Sequence, residues 1–453
     1  MSEGKKSVYK PKPVSGFPEW LPEVRIVEQQ WLDHIRRVFE SYGFCSIETP
    51  SVEELEVLHA KGEVDKEIYV LERLHREEGD KEARLALHFD QTVPLARYVA
   101  QNFNELVFPF KRYQMQRVWR GERPQKGRFR EFTQCDIDVI NIDALPLHFD
   151  AEMPAIIWEA MNGLPGMEGQ KIQVQISNRK ILFGLLAHYQ IQDAQRYTTL
   201  IDKLEKIGEK EVLIGLKLNL RLDKLSEDLA NKFIELAKIK TSSASELRSM
   251  TQKLDVENET FKTGVEELAF TLENLKNISG IVADLSIVRG LDYYTGTVYE
   301  TRFLDDPTYG SICSGGRYDD LASQYINKKL PGVGISIGFS RLFAYLLEKG
   351  ALPVGQKSPA HVLMVLPSEE RRADAAAAAQ KLRARGYNVE LYHAAKKIPD
   401  QLKYASRKGI PFVWFPPFED GRPHEVKNMT TGEQKAADPE SWKPEKENLH
   451  AVA

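Results

Sequence analysis

KRYQMQRVWRGERPQKGRFREFTQCDIDVI, residues 111 to 140, contains the most charged window of the chain. Its first twenty residues hold Lys111, Arg112, Arg117, Arg120, Arg123, Lys126, Arg128 and Arg130 against Glu122, a local charge of +7. The alternation around Arg117-Val118-Trp119-Arg120 predicts a strand, on which Arg112 and Arg120 would share one face. ERPQKGRFRE reads as a loop and EFTQCDIDVI as the returning strand. Arginine is suited to gripping phosphate oxygens through paired N–H donors, which points to a phosphate-bearing ligand. The competing reading is a solvated basic hairpin salt-bridged to acidic helices.

The chain as a whole does not advertise a polyanion binder. Its 453 residues carry a formal charge of −4, with 42% hydrophobic and 28% charged residues, as in ordinary globular proteins. A phosphate partner must therefore be met locally. Three dispersed cysteines, Cys45, Cys135 and Cys313, have no CxxC spacing and argue against a disulfide framework or a zinc site. The N-terminus lacks an apolar signal core, and no apolar run approaches the length of a membrane span, so the expectation is a cytoplasmic protein without a membrane partner.

Outward from the hairpin, residues 1–20 read as a flexible Lys/Ser/Gly/Pro arm. Helical spacing of Val27, Trp31, Ile35 and Val38 follows, then a short strand in GFCSIETPSVEE broken by Pro50. A helix is expected across 92–103. From about 176 to 280 glycine and proline are scarce and helical periodicity dominates, as in Leu222, Leu225, Leu229, Phe233 and Leu236. This predicts a helical insertion between two halves, 21–175 and 281–348, of one sheet domain. Beyond GALPVGQKSP, strand and helix signals alternate through HVLMVL, 369–385, NVELY, 399–408 and PFVWF, predicting a small α/β domain at 358–453 with a mainly parallel sheet.

Two further stretches hold unusual residues. RGLDYYTG (289–296) places two charges, two phenols and two glycines before the strand-forming Thr297-Val298-Tyr299. Taken alone it is either a turn into an edge strand or the wall of a pocket both aromatic and hydrogen-bonding. GVGISIGFSRL (332–342) leads into an apolar helix carrying Arg341, and its glycines suit a strand packed closely under a ligand. No GxxxxGK[ST] loop and no GxGxxG after a strand occurs, so a nucleotide here would be held by arginines and a sheet rather than by a helix N-terminus.

In order and wording these stretches resemble class II aminoacyl-tRNA synthetases, specifically the histidyl-tRNA synthetase family. SIETPSVEE resembles the dimer-interface motif with its proline, Pro50. FKRYQMQRVWRGERPQKGRFREFTQCDIDV resembles the ATP-gripping motif and GVGISIGFSRL the third motif. RGLDYYTG resembles the histidine-specific signature, with SGGRYDDL as its companion. The resemblance covers nearly the whole chain. It implies an α+β fold: an antiparallel-sheet catalytic domain with a helical insertion, and a C-terminal α/β anticodon-binding-type domain.

The activity implied is ATP-dependent activation of L-histidine, release of pyrophosphate, and transfer to tRNA(His) by a homodimer, with Mg²⁺ on the phosphates. Carried over by position, the resemblance assigns Arg120 to the α-phosphate, Glu122 to the neighbourhood of the adenine, and Arg341 to the adenine ring and γ-phosphate. Arg289 falls near the carboxylate and α-phosphate. Asp90, Thr92 and Gln134 hold the amino group and backbone of histidine. Asp138, Tyr294 and Tyr318 read the imidazole, with Tyr293 beside them, though Tyr293 reads as readily as core and Asp292 as a turn cap. Asp90 and Asp138 stand where glutamate is common in the bacterial family, one methylene shorter. No metal ligand is assigned.

These roles suit the chemistry. The attacking carboxylate is already ionised and needs no general base. Fixed cations at the phosphorus lower the barrier, because they need no reorganisation. Transfer RNA would be met by the 122–130 loop, the insertion and the C-terminal domain. The stretch 361–453 carries only +2, and Lys396, Lys397, Lys403, Arg407 and Lys408 form its most plausible patch. The rival reading is a non-aminoacylating paralogue that senses histidine, such as the regulatory subunit of ATP phosphoribosyltransferase. A synthetase for another amino acid and a pure RNA-binding module are weaker rivals, since neither accounts for RGLDYYTG.

Overall fold

The structure is a computed structural model, and it describes residues 10–59, 68–74, 84–288, 293–419 and 421–444. The chain divides into two compact units, Met1–Pro18 with His34–Glu348, and Glu19–Asp33 with Lys349–Ala453.

The first unit is built on a nine-stranded sheet. In chain order its strands are β1 (Cys45–Ser46), β2 (Phe110–Trp119), β3 (Glu131–Ile140), β4 (Ile172–Asn178), β5 (Lys240–Thr241), β6 (Ile281–Asp284), β7 (Thr297–Phe303), β8 (Cys313–Tyr318) and β9 (Gly332–Ile337). They lie side by side as β1-β2-β3-β9-β8-β7-β4-β6-β5. Pairing is antiparallel from β2 through β4, and parallel only at β1–β2 and β4–β6.

Strand alternation gives this sheet two unlike faces. Ile137, Val139, Val333, Ile335, Ile337, Val174 and Ile176 point one way and are buried. Helices His148–Asn162, Arg179–His188, Glu259–Leu275 and Phe339–Glu348 pack with the sheet and with one another. The other face presents Arg112, Gln114, Gln116, Gln134, Asp136, Asp138, Ser314, Tyr318, Gly332, Gly334 and Ser336, brought into rows by the register. A polar face on a central sheet is costly to bury, so it marks where a ligand belongs.

Two local readings are decided. RGLDYYTG does not lead into an edge strand, because β7 lies between β8 and β4 in the sheet's interior. The step of leucines from 222 to 236 is not one helix: Glu209–Leu222 ends at Asp223, Lys224 takes a left-handed conformation (φ 59°), and Leu229–Ala237 begins anew. Leu222 is thereby left 63% exposed, since a common period across a break does not mean a common face. Residues 176–280 are otherwise largely helical, and lie within the first unit. The short β5 pairs with β6 at the sheet's far edge.

In the second unit Val362–Met364 pairs in parallel with both Val389–Leu391 and Phe412–Phe415. Two antiparallel strands, Glu425–Asn428 and Gln434–Ala436, extend the sheet. Their short, mostly polar sequences gave no strand signal. Trp414, Val362 and Leu382 anchor its core. Lys396, Lys397, Lys403 and Arg407 are exposed, whereas Lys408 is drawn to Glu390 at 3.0 Å. Among the described residues no helix is long and apolar enough to cross a membrane.

Candidate active site

A cavity of about 300 Å³ opens on the polar face at the end where β2 and β3 meet their connecting loop. Arg120, Glu122, Arg128, Phe132, Gln134, Ser314, Ser336 and Arg341 are among its lining residues. The 120–130 loop closes on itself through paired backbone bonds between Gln125 and Arg128, with Gly127 in the left-handed region (φ 67°). The hairpin is partly the salt-bridged surface that its charge allowed. Lys111 pairs with Glu152, Arg117 with Glu131, Lys126 with Glu348 and Arg128 with Glu122.

Arg120 is placed differently. Its Nε–H donates to the Phe89 carbonyl at 3.1 Å, and its guanidinium lies 5.2 Å from the centre of the Phe132 ring. Arg341 reaches the same cavity from the start of its helix, which is tethered by a hydrogen bond from Thr133 N–H to the Ser340 hydroxyl at 2.8 Å. Its Nη2 donates to the Tyr309 carbonyl, and its guanidinium stacks 4.9 Å from the Tyr309 ring. Its Nε has no partner among the described residues, and burial lowers its pKa. Two guanidiniums and the Phe132 ring around one opening can hold a planar base and a chain of phosphates. Sequence reasoning missed Phe132 and Tyr309. Phe132 was visible as an aromatic at the mouth of a strand flanking an arginine loop, but Tyr309 comes from a distant loop.

Deeper on the same face lies a second cluster. Arg112 and Asp138 sit opposite each other on β2 and β3, with Nη2 and Oδ2 at 2.6 Å and the Arg112 side chain 1% exposed. The Tyr318 hydroxyl donates to the other Asp138 oxygen at 3.0 Å. Burial and the neighbouring Asp138 charge push the Tyr318 pKa well up, so the phenol keeps the proton it donates. Register thus separates the arginines that alternation aligned: Arg112 is a buried counter-ion, Arg120 a cavity wall. Alternation sends the arginine of SGGRYDDL to the helix side, where Arg317 pairs with the fully buried Asp150 at 2.7 Å.

Tyr294 rests on Gly316, where a methyl would come within 2.6 Å of its ring, and burial raises its pKa. Tyr293 meets Tyr294 and Tyr318 at ring separations of 5.2 Å and packs into the apolar cluster of Leu95, Phe110 and Ile140. Thr92 and Tyr293 line a separate, smaller cavity of about 160 Å³. Asp90 accepts from Val93 N–H at 3.1 Å and so braces the helix Thr92–Gln101. Arg289 and Asp292 lie outside the described residues, as does Gly290.

The glycines of β9 make room for the cluster. At Gly332 a methyl would strike the Tyr318 ring, and at Gly334 it would overlap the Asp138 carboxylate and sit 2.9 Å from the Ile137 carbonyl. Gly334→Ala is therefore expected to cost about 1–3 kcal/mol of stability through overpacking. It should also displace Asp138. Thermal unfolding reads the cost; an unchanged melting temperature would refute the tight fit.

The family model described as Histidyl-tRNA synthetase matches residues 16–342, and that described as Anticodon binding domain matches residues 352–442. The Histidine--tRNA ligase of Thermobifida fusca (strain YX) is 56% identical over 448 residues, covering 98% of this chain and all of its own length. The crystal structure of histidyl-tRNA synthetase from Nostoc sp. PCC 7120 superposes with a TM-score of 0.84 at 40% identity, covering 95% of this chain and 97% of that one. A Bacillus halodurans structure titled as an ATP phosphoribosyltransferase regulatory subunit/histidyl-tRNA synthetase shares the fold, with a TM-score of 0.71 at 23% identity over 88% of this chain and 97% of its own. With both regions matched in order, and the arginine-walled cavity and buried acid cluster standing where the motifs fall, the chain belongs to the histidyl-tRNA synthetase family.

Proposed function

We propose that the cavity activates L-histidine with ATP to histidyl-adenylate and pyrophosphate, and then passes the histidyl group to the 3′-terminal adenosine of tRNA(His). The enzyme is a histidine–tRNA ligase, as its full-length relatives are named. The observation that carries the reading is the joint placement of Arg120 and Arg341 around one opening, with Gln134 on its wall.

In this reading Arg120 neutralises charge at the α-phosphate, and Arg341 clasps the nucleotide from the opposite side with Phe132 as a platform. Glu122 lies beside them. Arg289 supplies a second cation at the reacting carboxylate; its assignment rests on RGLDYYTG alone. Asp90, Thr92 and Gln134 hold the amino group and backbone. Asp138, held between Arg112 and Tyr318, selects the imidazole together with Tyr294, with Tyr293 backing the wall. A ligand lacking the imidazole's polar atoms would leave buried groups unpaired, a discrimination of about 10⁴ or more.

Magnesium commonly rides on nucleotide phosphates with water and one or two carboxylates rather than in an all-protein cage. Glu122 is a carboxylate on the cavity wall, which fits an ion carried in on ATP. We assign residues 21–175 and 281–348 to catalysis, 176–280 to an insertion and 358–453 to anticodon recognition, in a cytoplasmic homodimer. The exposed β1 edge and Pro50 support a dimer contact there.

The expected result is ATP–pyrophosphate exchange that requires histidine and no other standard amino acid. Exchange driven by a different amino acid would reassign the specificity. No exchange at all would favour the histidine-sensing paralogue, a reading that the 56% identity to a full-length ligase weighs against.

A further inference from the structure

One buried acid on the polar face has no part in the roles above. Asp136 lies midway between Gln134 and Asp138 on β3 and is 5% exposed. Register sets it opposite Gln114 on β2 and Ser336 on β9. Both donors of Gln114 are spent elsewhere, on Thr49 and Gln116, and Asp136 Oδ1 has no hydrogen-bond partner among the described residues. Burial pushes its pKa up to about 7, against the pull of Arg112 and the Ser336 hydroxyl.

Ser336 ties this acid to the cavity. Gln134 Nε2 donates to Ser336 Oγ at 2.8 Å. An oxygen accepting there must send its own proton elsewhere, and the Asp136 carboxylate faces it from the paired position on β3. The Gln134 amide is thereby turned so that Oε1 is the end left over. That oxygen is buried and has no partner among the described residues, although Gln134 and Ser336 both line the cavity. An unpaired buried acceptor is costly, and a substrate ammonium group would satisfy it.

We propose that Asp136 is a positioning residue for the amino acid: as the last acceptor of the Gln134–Ser336 chain, it holds the Gln134 amide oxygen toward the substrate's ammonium group. Protonation reverses the chain. The Asp136 carboxylic acid donates to Ser336 Oγ, the serine proton turns to Gln134 Oε1, and the amide N–H groups meet the ammonium. The inference rests on the assignment of Gln134 to the amino group of histidine.

The charged and titratable groups around Asp136 are few. Arg112 stands on β2, paired with Asp138. Asp138 and Asp90 add negative potential. The thiols of Cys135 and Cys313 and the phenol of Tyr294 feel its charge, and burial raises all three, leaving them protonated near neutrality. The sign follows: the carboxylate form, which binds histidine, fills as pH rises through about 7 and empties below it.

The test is histidine-dependent ATP–pyrophosphate exchange by the full chain between about pH 6 and 8.5, for the parent, Asp136→Asn and Ser336→Ala. Since kcat/KM reports the free enzyme and kcat the complex, the parent's kcat/KM for histidine should fall about tenfold per pH unit below 7, with kcat nearly level. The substrate's own imidazole, with a pKa of about 6.5, adds a component common to all three proteins. Asp136→Asn should lose the enzyme's component and keep the substrate's, and Ser336→Ala should do the same. An Asp136→Asn profile parallel to the parent's, with a uniform drop at every pH, would make Asp136 merely structural and overturn the proposal. Should Asp136→Asn fail to fold, Ser336→Ala decides by the same criterion. A parent without histidine-dependent exchange at any pH defeats the functional reading instead.

Discussion

Replacing Arg120 by alanine is expected to lower kcat for histidine-dependent ATP–pyrophosphate exchange by about 10²–10³-fold, the effect of removing one preorganised donor from a transition state. Its guanidinium is held in place by the Phe89 carbonyl and the Phe132 ring, at the wall of the cavity. Charge spreads over the phosphoryl oxygens as pyrophosphate leaves, and a cation already fixed there needs no reorganisation. The KM for histidine should stay within a few-fold, because Gln134 and the deeper cluster are untouched. The fold should survive, since the side chain is only partly buried. Exchange kinetics and circular dichroism check the two halves; a kcat within threefold of the parent would remove Arg120 from the chemistry.

Asp138→Ala is expected to cost stability and specificity together. Arg112 would be left as an uncompensated charge, with its side chain 1% exposed, a loss of about 3–5 kcal/mol. The Tyr318 hydroxyl would lose its acceptor as well. The KM for histidine should rise by about two orders of magnitude or more, because the carboxylate proposed to answer the imidazole is gone. The double variant Arg112→Met with Asp138→Leu separates the two effects. Apolar replacement of a buried pair is often neutral or stabilising, so thermal unfolding should recover while histidine KM does not. A single variant that melts like the parent would show that the pair does not carry its buried charge in this way. A double variant with normal histidine KM would end the imidazole-reading role.

Part of this site's layout is legible in the sequence. Strand alternation on both sides of the basic loop put Arg112 and Arg120 on one face, and the observed strands Phe110–Trp119 and Glu131–Ile140 follow that pattern. What alternation could not say is which of two arginines on one face meets a carboxylate. That depends on register: Arg112 lies directly opposite Asp138, while Arg120 follows the last residue of β2, beyond the paired rows. The even positions 134, 136 and 138 are all polar, a signal present in EFTQCDIDVI that points to Asp136 as well as to Gln134 and Asp138.

Local pattern and motif order were enough to establish the class of fold, the succession of catalytic sheet, helical segment and C-terminal α/β unit, and the family to which the chain belongs. All three are written in short-range features: periods of two and 3.6 residues, turn chemistry, and long motifs in sequence. The pairing of β3 with β9 is another matter. It brings residues about two hundred apart into contact, Gln134 onto Ser336 and Asp138 beside Gly334. The same is true of Tyr318, whose hydroxyl reaches Asp138 across 180 positions. Such contacts depend on which strands become neighbours and in what register, and no window of sequence contains both partners. The division of the polar face into an arginine-walled cavity, a buried acid cluster and an intervening titratable aspartate is therefore a property of the assembled sheet.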